Sequence, residues 1–250
     1  MKVLITGASS GIGESLAYKF SSLGYDLILV ATNKEKLEKV KNNCKTDAKI
    51  IICDLRNEKE VRNLYNKTKN ENIDILVNNA GFGLFGTFDE TDLDRELEMI
   101  DVNIKAVHIL TKLFLQDFIK RNSGYILNVA SSAGFMAGPK LATYYATKNY
   151  VLKLTLAIYE ELKKKNSKVH ISALCPGPVD TNFNDVANGT FATKSLTSDF
   201  VADYTIRMMF KNKLVIIPGT MMKIVIFLTR LTSTKLLLKF TYKIQDRKTR

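Results

Sequence analysis

A chain of 250 residues, 46% of them hydrophobic, can bury one sizeable core, and nothing in its length demands two domains. Cys44, Cys53 and Cys175 are widely spaced and lack a CxxC pair. That spacing indicates neither a disulfide framework nor a zinc site, and His108 and His170 each fall inside an apolar segment and read as packed side chains, which speaks against a His-based triad or a His-rich metal centre. The net charge of +12 is concentrated at one end: from Arg207 onward eleven Lys/Arg stand against Asp246 alone, which leaves the body at +2 and gives no sign of a nucleic-acid partner.

Met1 leads almost directly into "KVLIT", without a basic, apolar and small-residue leader, so the chain is expected to start as structure. Three free thiols suit a reducing cytoplasm. In chain order, "KVLIT", "DLILVA", "KIIIC", "IDILVN", "GYILNVA", "VHISALC" and "KLVIIPG" are short apolar runs predicted as seven strands buried on both faces. Segments with apolar residues at helical spacing separate most of them, for example "ESLAYKFSSLG" and "EKLEKVKNN". Repeated βα units predict one α/β domain over residues 1–250: a doubly wound parallel sheet of about seven strands with helices on both faces. Ligands of such sheets bind beyond the carboxyl ends of the strands. Residues 182–200, small, polar and aperiodic, are expected to form a lid over that edge.

The first strand ends in "TGASSGIGESLAYKF". Gly7, Gly11 and Gly13 permit a tight turn and close backbone approach, and the helix behind them offers unpaired N–H groups to a pyrophosphate. At the end of the second strand Ala31 stands where a site for NAD usually carries an acid. Thr32, Asn33 and Lys34, all hydrogen-bond donors, follow it, which favours NADP while leaving NAD open. The third strand ends in "CDL", where the Asp54 carboxylate could accept from an adenine amino group. The fourth ends in "NNAG", with Asn78, Asn79, Ala80 and Gly81 at the same edge.

In "ATYYATKNYV" a tyrosine four residues before a lysine shares a helical face with it, and a nearby cation would lower the phenol pKa toward the range useful for proton exchange. Tyr144 with Lys148 has that spacing, whereas Tyr145 faces Asn149. Tyr65 with Lys69 and Tyr159 with Lys163 have it too, but lie in charged helices that read as solvated faces. Context selects Tyr144. The fifth strand ends in "NVASSAG", placing Ser131 at the edge with Ser132 as its rival, and the sixth ends in "CPGPVDT", a stiff turn that could present Val179 backbone groups and the Thr181 hydroxyl to a cofactor.

"TGASSGIG", "NNAG", the Ser131/Tyr144/Lys148 set and "PGPVDT", in this order, resemble the short-chain dehydrogenase/reductase family in its compact branch, over residues 1 to about 185. The resemblance implies a Rossmann-type domain and a hydride transfer between a nicotinamide cofactor and an alcohol or carbonyl. In it Tyr144 is the general acid/base, Ser131 orients and polarises the substrate oxygen, and Lys148 holds the nicotinamide ribose and depresses the tyrosine pKa. It implies that Asn103, in "DVNIKAV", keeps a proton-relay water near the lysine, although from the residues alone this is a helix-interior Asn bonded to backbone. Cofactor contacts are implied for Gly7, Ser9, Ser10, Gly11, Ile12, Gly13, Leu55, Asn78, Pro176, Gly177 and Thr181. A homodimer or homotetramer joined through the fourth and fifth helical regions is implied as well. The chain lacks the glycine-rich ending common in the carrier-protein-linked ketoacyl reductases of the family, so 3-oxoacyl thioester reduction is the second substrate reading. A non-catalytic NADP-binding sensor or interaction protein is the alternative of another class.

The last segment, residues 219–250, is basic and apolar. Lys223 and Arg230 interrupt its apolar runs before they could span a bilayer. On a helical wheel Lys235, Lys239 and Lys243 gather beside Leu236, Phe240 and Ile244. Two readings are open: a terminal helix packed over the substrate side or on a partner subunit, or a helix lying on an anionic membrane surface above a lipophilic substrate site.

Overall fold

In the computed structural model the described residues are 1–181 and 195–246. The seven apolar runs form the seven strands of one parallel sheet in the order β3-β2-β1-β4-β5-β6-β9. They are β1 (Lys2–Thr6), β2 (Asp26–Ala31), β3 (Ala48–Ile52), β4 (Ile73–Asn78), β5 (Gly124–Val129), β6 (Val169–Leu174) and β9 (Val215–Ile216). Each pairing is parallel, and β9 pairs only with the last two residues of β6.

Alternation along the strands builds two cores. Val3 and Ile5 of β1 face a cluster with Leu16 and Phe20 of α1 (Gly11–Ser22), Leu37 of α2 (Lys34–Asn42) and Ile206 of α7 (Ser198–Phe210). Leu4, between them, points to the opposite cluster, with Leu64 of α3 (Glu58–Thr68) and Phe114 and Phe118 of α5 (Val107–Arg121). Each such side chain, fully buried, contributes about 1.5–3 kcal/mol. Because β1 is flanked by β2 on one side and β4 on the other, the winding reverses there, and a crevice opens beyond Thr6 and Asn78.

Helix starts follow capping chemistry. Asn33, Asn57 and Asp92 accept first-turn amides of α2, α3 and α4 (Leu93–Ile100), and Thr197 does so for α7. By contrast, α1 starts at Ser10 without a side-chain cap, as α5, α6 (Ala142–Lys164) and α8 (Thr220–Thr229) also do at their own starts. A π-helical turn, Asp101–Ala106, lies between α4 and α5, and a 3₁₀ turn, Ser132–Phe135, precedes α6 (Ala142–Lys164).

Two expectations, for His108 and Tyr65, are corrected. His108 is exposed on α5 and pairs with the Tyr150 hydroxyl (2.6 Å), because its apolar neighbours in sequence face the other way around the helix; His170 is half-buried and stacks on Tyr125. Tyr65 does not lie on a solvated face: its ring packs edge-on against Phe114 and its hydroxyl donates to Asp117 (2.7 Å). Of the expected lid, residues 182–194 lie outside the described residues. Leu196–Thr197 form β8, which pairs in parallel with β7 (Val179–Asp180), and Ser198 already opens α7. The C-terminal segment forms α8 (Thr220–Thr229) and α9 (Thr234–Asp246).

Candidate active site

The turn after β1 is built for close backbone approach. Gly7 and Gly11 have φ of +64° and +58°. A Cβ at Gly7 would come within 2.8 Å of Ala80 Cα, and one at Gly13 would collide with the Gly7 carbonyl oxygen. The uncapped first turn of α1 leaves amides and the positive end of the helix dipole facing the crevice. Ser9 and Ser10 are half-buried in that turn, and Ile12 packs from it onto the core. A glycine-lined cradle at an uncapped helix start fits a dinucleotide pyrophosphate, so Gly7, Gly11, Gly13 and the α1 amides are the groups that would hold it.

The neighbouring strand ends are tied to this turn. The Thr6 hydroxyl donates to Val77 O and accepts the amides of Asn79 (3.0 Å) and Ala80 (3.1 Å), while Asn79 Nδ2 donates to Thr6 O and Gly7 O (both 3.0 Å). Asn78 points the other way. Its amide donates to Thr111 and Asn128 inside the core and does not reach the crevice, because successive strand residues alternate faces. Both oxygens of the Asp54 carboxylate are taken by Arg56, whose guanidinium holds the group below the usual carboxylate range. Leu55 beside it is buried. At the end of β2, Thr32, Asn33 and Lys34 are exposed, and Asn33 uses its oxygen to accept from Lys36 N (2.8 Å).

On the sixth-strand side the Pro176 carbonyl accepts from Ser132 N (2.8 Å), locking "CPGPVDT" to the end of β5. Gly177 lies under Met222 of α8, and Val179 is drawn into the β7–β8 ribbon. Thr181 crosses to the cradle, where a Cβ at Gly11 would lie 3.0 Å from its methyl group.

The reacting groups meet between these edges. The Ser131 hydroxyl stands beside the Tyr144 phenol and favours its ionised form, and Ser131 Oγ accepts from Ala133 N (3.1 Å). Ser132, the rival, sits in the 3₁₀ turn. Lys148 is buried, donates to Val129 O (3.0 Å) and stands 5.8 Å from the Tyr144 ring centroid. Asn103 is fully buried in the π-helical turn. Its oxygen accepts from Phe82 N (3.1 Å) and its amide donates to Phe82 O (2.9 Å) and Thr147 Oγ1 (3.1 Å). It is thus bonded to backbone, as a helix-interior Asn would be, but to the loop after β4. Gly81 packs between these groups, since a Cβ there would lie 2.8 Å from Asn103 Oδ1 and 3.2 Å from Lys148 Nζ.

Burial, and not the lysine, dominates the protonation of this cluster. Tyr144 is only half-covered from solvent, yet burial pushes its phenol up to about 12, and the neighbouring Ser131 draws it back only in part. This reverses the depressed tyrosine pKa expected from spacing. The same burial brings the Lys148 ammonium down to about 8 and pushes the Cys175 thiol behind it up to about 12.

Three positioning residues carry no signature in the sequence. Thr6 joins β1 to the β4 end, Thr147 links Asn103 to Tyr144 O (2.7 Å), and Asn149 donates to Ala133 O, Met136 O and Tyr145 O, fastening α6 to the turn after Ser131. Their side chains act across elements, so only their place on the Tyr144 helix or at a strand end could have pointed to them. Tyr145 turns away from the cluster. Its hydroxyl accepts from Gln245 Nε2 (2.7 Å), and it lines an apolar cleft of about 420 Å³ with Met136, Pro139, Ala146 and Leu238.

A glycine cradle at an uncapped helix start, joined at the switch of a parallel sheet to a Ser/Tyr/Lys cluster, defines a nicotinamide-dependent oxidoreductase of Rossmann type. The short chain dehydrogenase family model matches residues 1–190, and the chain belongs to that family. It is 35% identical over 188 residues to the 3-oxoacyl-[acyl-carrier-protein] reductase of Rickettsia prowazekii, covering 74% of this chain and 75% of that one. It is 34% identical over 180 residues to an uncharacterized oxidoreductase of Staphylococcus epidermidis, covering 71% and 77%. A short-chain dehydrogenase from Sphingobium yanoikuyae, solved in complex with NADPH, superposes with a TM-score of 0.82 at 28% identity over 88% of each chain.

Proposed function

We propose that this oxidoreductase uses NADP(H) in preference to NAD(H) and reduces a ketone or aldehyde of apolar character, with Tyr144 as proton donor. The observation that carries the reading is the convergence of Ser131 and Tyr144 with the buried Lys148, which stands 5.8 Å from the tyrosine ring centroid. A bound reduced nicotinamide supplies the hydride for the carbonyl carbon. The chain supplies the rest. The Tyr144 phenol, kept protonated by burial, gives its proton to the carbonyl oxygen, the Ser131 hydroxyl donates a hydrogen bond to that oxygen, and the Lys148 ammonium stabilises the phenolate left behind. Asn103 and Thr147 hold the helical turn that carries Tyr144 and Lys148.

The cofactor preference rests on the end of β2. No acid occupies residues 31–34, and Lys34, at the start of α2, adds a cation to the positive end of the helix dipole, a setting that favours a ribose phosphate. The apolar substrate class is supported by Met136, Pro139 and Leu238, which line a neighbouring cleft on the Tyr145 side of the helix that carries Tyr144. The Rickettsia relative favours a second reading, a 3-oxoacyl thioester as the carbonyl. Absorbance assays with NADPH and NADH against a panel of ketones, aldehydes, steroids, sugars and acyl thioesters separate these outcomes. We expect turnover with an apolar ketone or an acyl thioester and a higher kcat/KM with NADPH. A folded protein that binds NADPH and turns over no member of the panel would support a sensor or interaction protein instead.

A further inference from the structure

The hairpin of α8 and α9 departs from the pattern of the body. In α8 the outward positions Met221, Ile224, Val225 and Leu228 follow helical spacing, and Met221 is 74% exposed although the side chain is large and apolar; Ile226, on the opposite side, is buried. Leu231, in the link between the helices, is 71% exposed. In α9 the buried residues are Thr241 and Gln245, both polar, and the outward stripe is Leu236, Phe240 and Ile244. This is the reverse of a helix that covers a core. Lys235, Lys239 and Lys243 run along the flank of that stripe, and none of them forms an ion pair among the described residues. The one acid of the hairpin, Asp246, is turned inward to Lys140 (2.6 Å).

We infer that this hairpin is a docking surface for an anionic lipid bilayer. An apolar stripe beside a cationic one, both exposed, matches the acyl boundary and the headgroup layer of such a surface. A second copy of the chain is a poorer occupant, since it would set two lysine stripes against each other without a facing acid. A nucleic-acid backbone would pair with the lysines but leave Leu236, Phe240 and Ile244 uncovered. No helix among the described residues is long and apolar enough to cross a membrane, so the contact is peripheral. The hairpin is fixed to the rim of the site: Met222 covers Gly177, Gln245 binds Tyr145 and Lys140 sits over the Tyr242 ring. Docking therefore brings the opening beside Tyr145 to the lipid, a consequence that rests on the proposed function, whereas the binding itself does not.

The test is co-sedimentation of the full chain with phosphatidylcholine vesicles and with vesicles containing phosphatidylglycerol, at low and high salt. Light scattering reports the oligomeric state, and circular dichroism checks each variant for folding. The expected result is recovery with the anionic vesicles only, weakened by salt. It should fall on the order of a hundredfold in partition coefficient for the triple variant Lys235→Gln, Lys239→Gln, Lys243→Gln, and at least about tenfold for Leu236→Ser, Phe240→Ser, Ile244→Ser. Tyr144→Phe should sediment as the unaltered chain does, which separates this proposal from the catalytic one. Full chain left in the supernatant with anionic vesicles would overturn it. So would a folded Leu/Phe/Ile variant that partitions normally, or one that only falls apart into smaller assemblies, which would assign the face to a second copy.

Discussion

The crevice at the strand ends and the C-terminal hairpin solve opposite problems. Around Tyr144 the groups that position the site are fixed several times over: Asn103 makes three hydrogen bonds, Asn149 three, and the Thr6 hydroxyl three. The hairpin is held by a few contacts, Gln245 to Tyr145, Lys140 to Asp246 and Lys223 to Tyr204, and leaves its large apolar residues outside. Chemistry requires over-determined geometry, whereas adhesion to a surface requires only exposed area and charge of the right sign. Substitutions in the crevice should therefore cost function steeply, and substitutions in the hairpin should leave the reaction largely intact.

Away from the proton donor itself, the largest expected effect is at Gly13. A Cβ there meets the Gly7 carbonyl oxygen and Asn79 Nδ2, so Gly13→Ala must open the cradle. NADPH affinity, followed by the fluorescence of the bound cofactor, should fall by about a hundredfold or more, equivalent to roughly 3 kcal/mol. Retained affinity would show that the turn does not hold the pyrophosphate.

Lys148 offers a test by pH. An unfolded lysine keeps its proton to about 10.4, but the buried one only to about 8. Between those values the unfolded state binds more protons, so the contribution of Lys148 to stability rises with pH through that window and is constant below it. Denaturation of the wild type and of Lys148→Met at pH 8 and pH 10 should show the wild type gaining on the variant by about 1–3 kcal/mol. A pH-independent difference would mean that the ammonium is not desolvated. Tyr144, shifted upward, acts in the opposite sense only above about 10, beyond the range of the measurement.

A smaller effect is expected where Gly81 packs against Asn103 and Lys148. Gly81→Ala must displace one of them and should lower kcat about tenfold, close to 1.4 kcal/mol, with circular dichroism unchanged. In the hairpin, Gln245→Ala removes the hydrogen bond to Tyr145, worth about 1 kcal/mol. It should lower the melting temperature by about 2–4 °C and leave kcat within a factor of about two to three. A tenfold loss of kcat there would show that α9 shapes the reaction itself.

Much of the fold was legible because burial on both faces of a parallel sheet writes continuous apolar runs, and all seven became strands. Even so, "KLVIIPG" contributed only Val215–Ile216, which pair with Ala173 and Leu174 at the end of the six-residue β6. The positions of Gly7, Gly13, Ser131, Tyr144 and Lys148 were legible from their places at strand ends and on one helical face. The direction of the Asn78 amide and the π-helical turn at Asn103 were not, because each is set by partners distant in sequence; the capture of Asp54 by Arg56, only two residues on, depends on a side-chain orientation that spacing does not show. The tyrosine pKa failed for a related reason: spacing reveals the neighbouring cation but not the burial that outweighs it.

The central claim is that Tyr144, and not the adjacent Tyr145, donates the proton. With the best substrate of the panel and NADPH, kcat of Tyr144→Phe should fall by about 10²–10⁴ with cofactor affinity retained. Tyr145→Phe, which loses only its bond to Gln245, should stay within a factor of about three. Turnover that survives Tyr144→Phe, or that disappears in a folded Tyr145→Phe, would contradict the account.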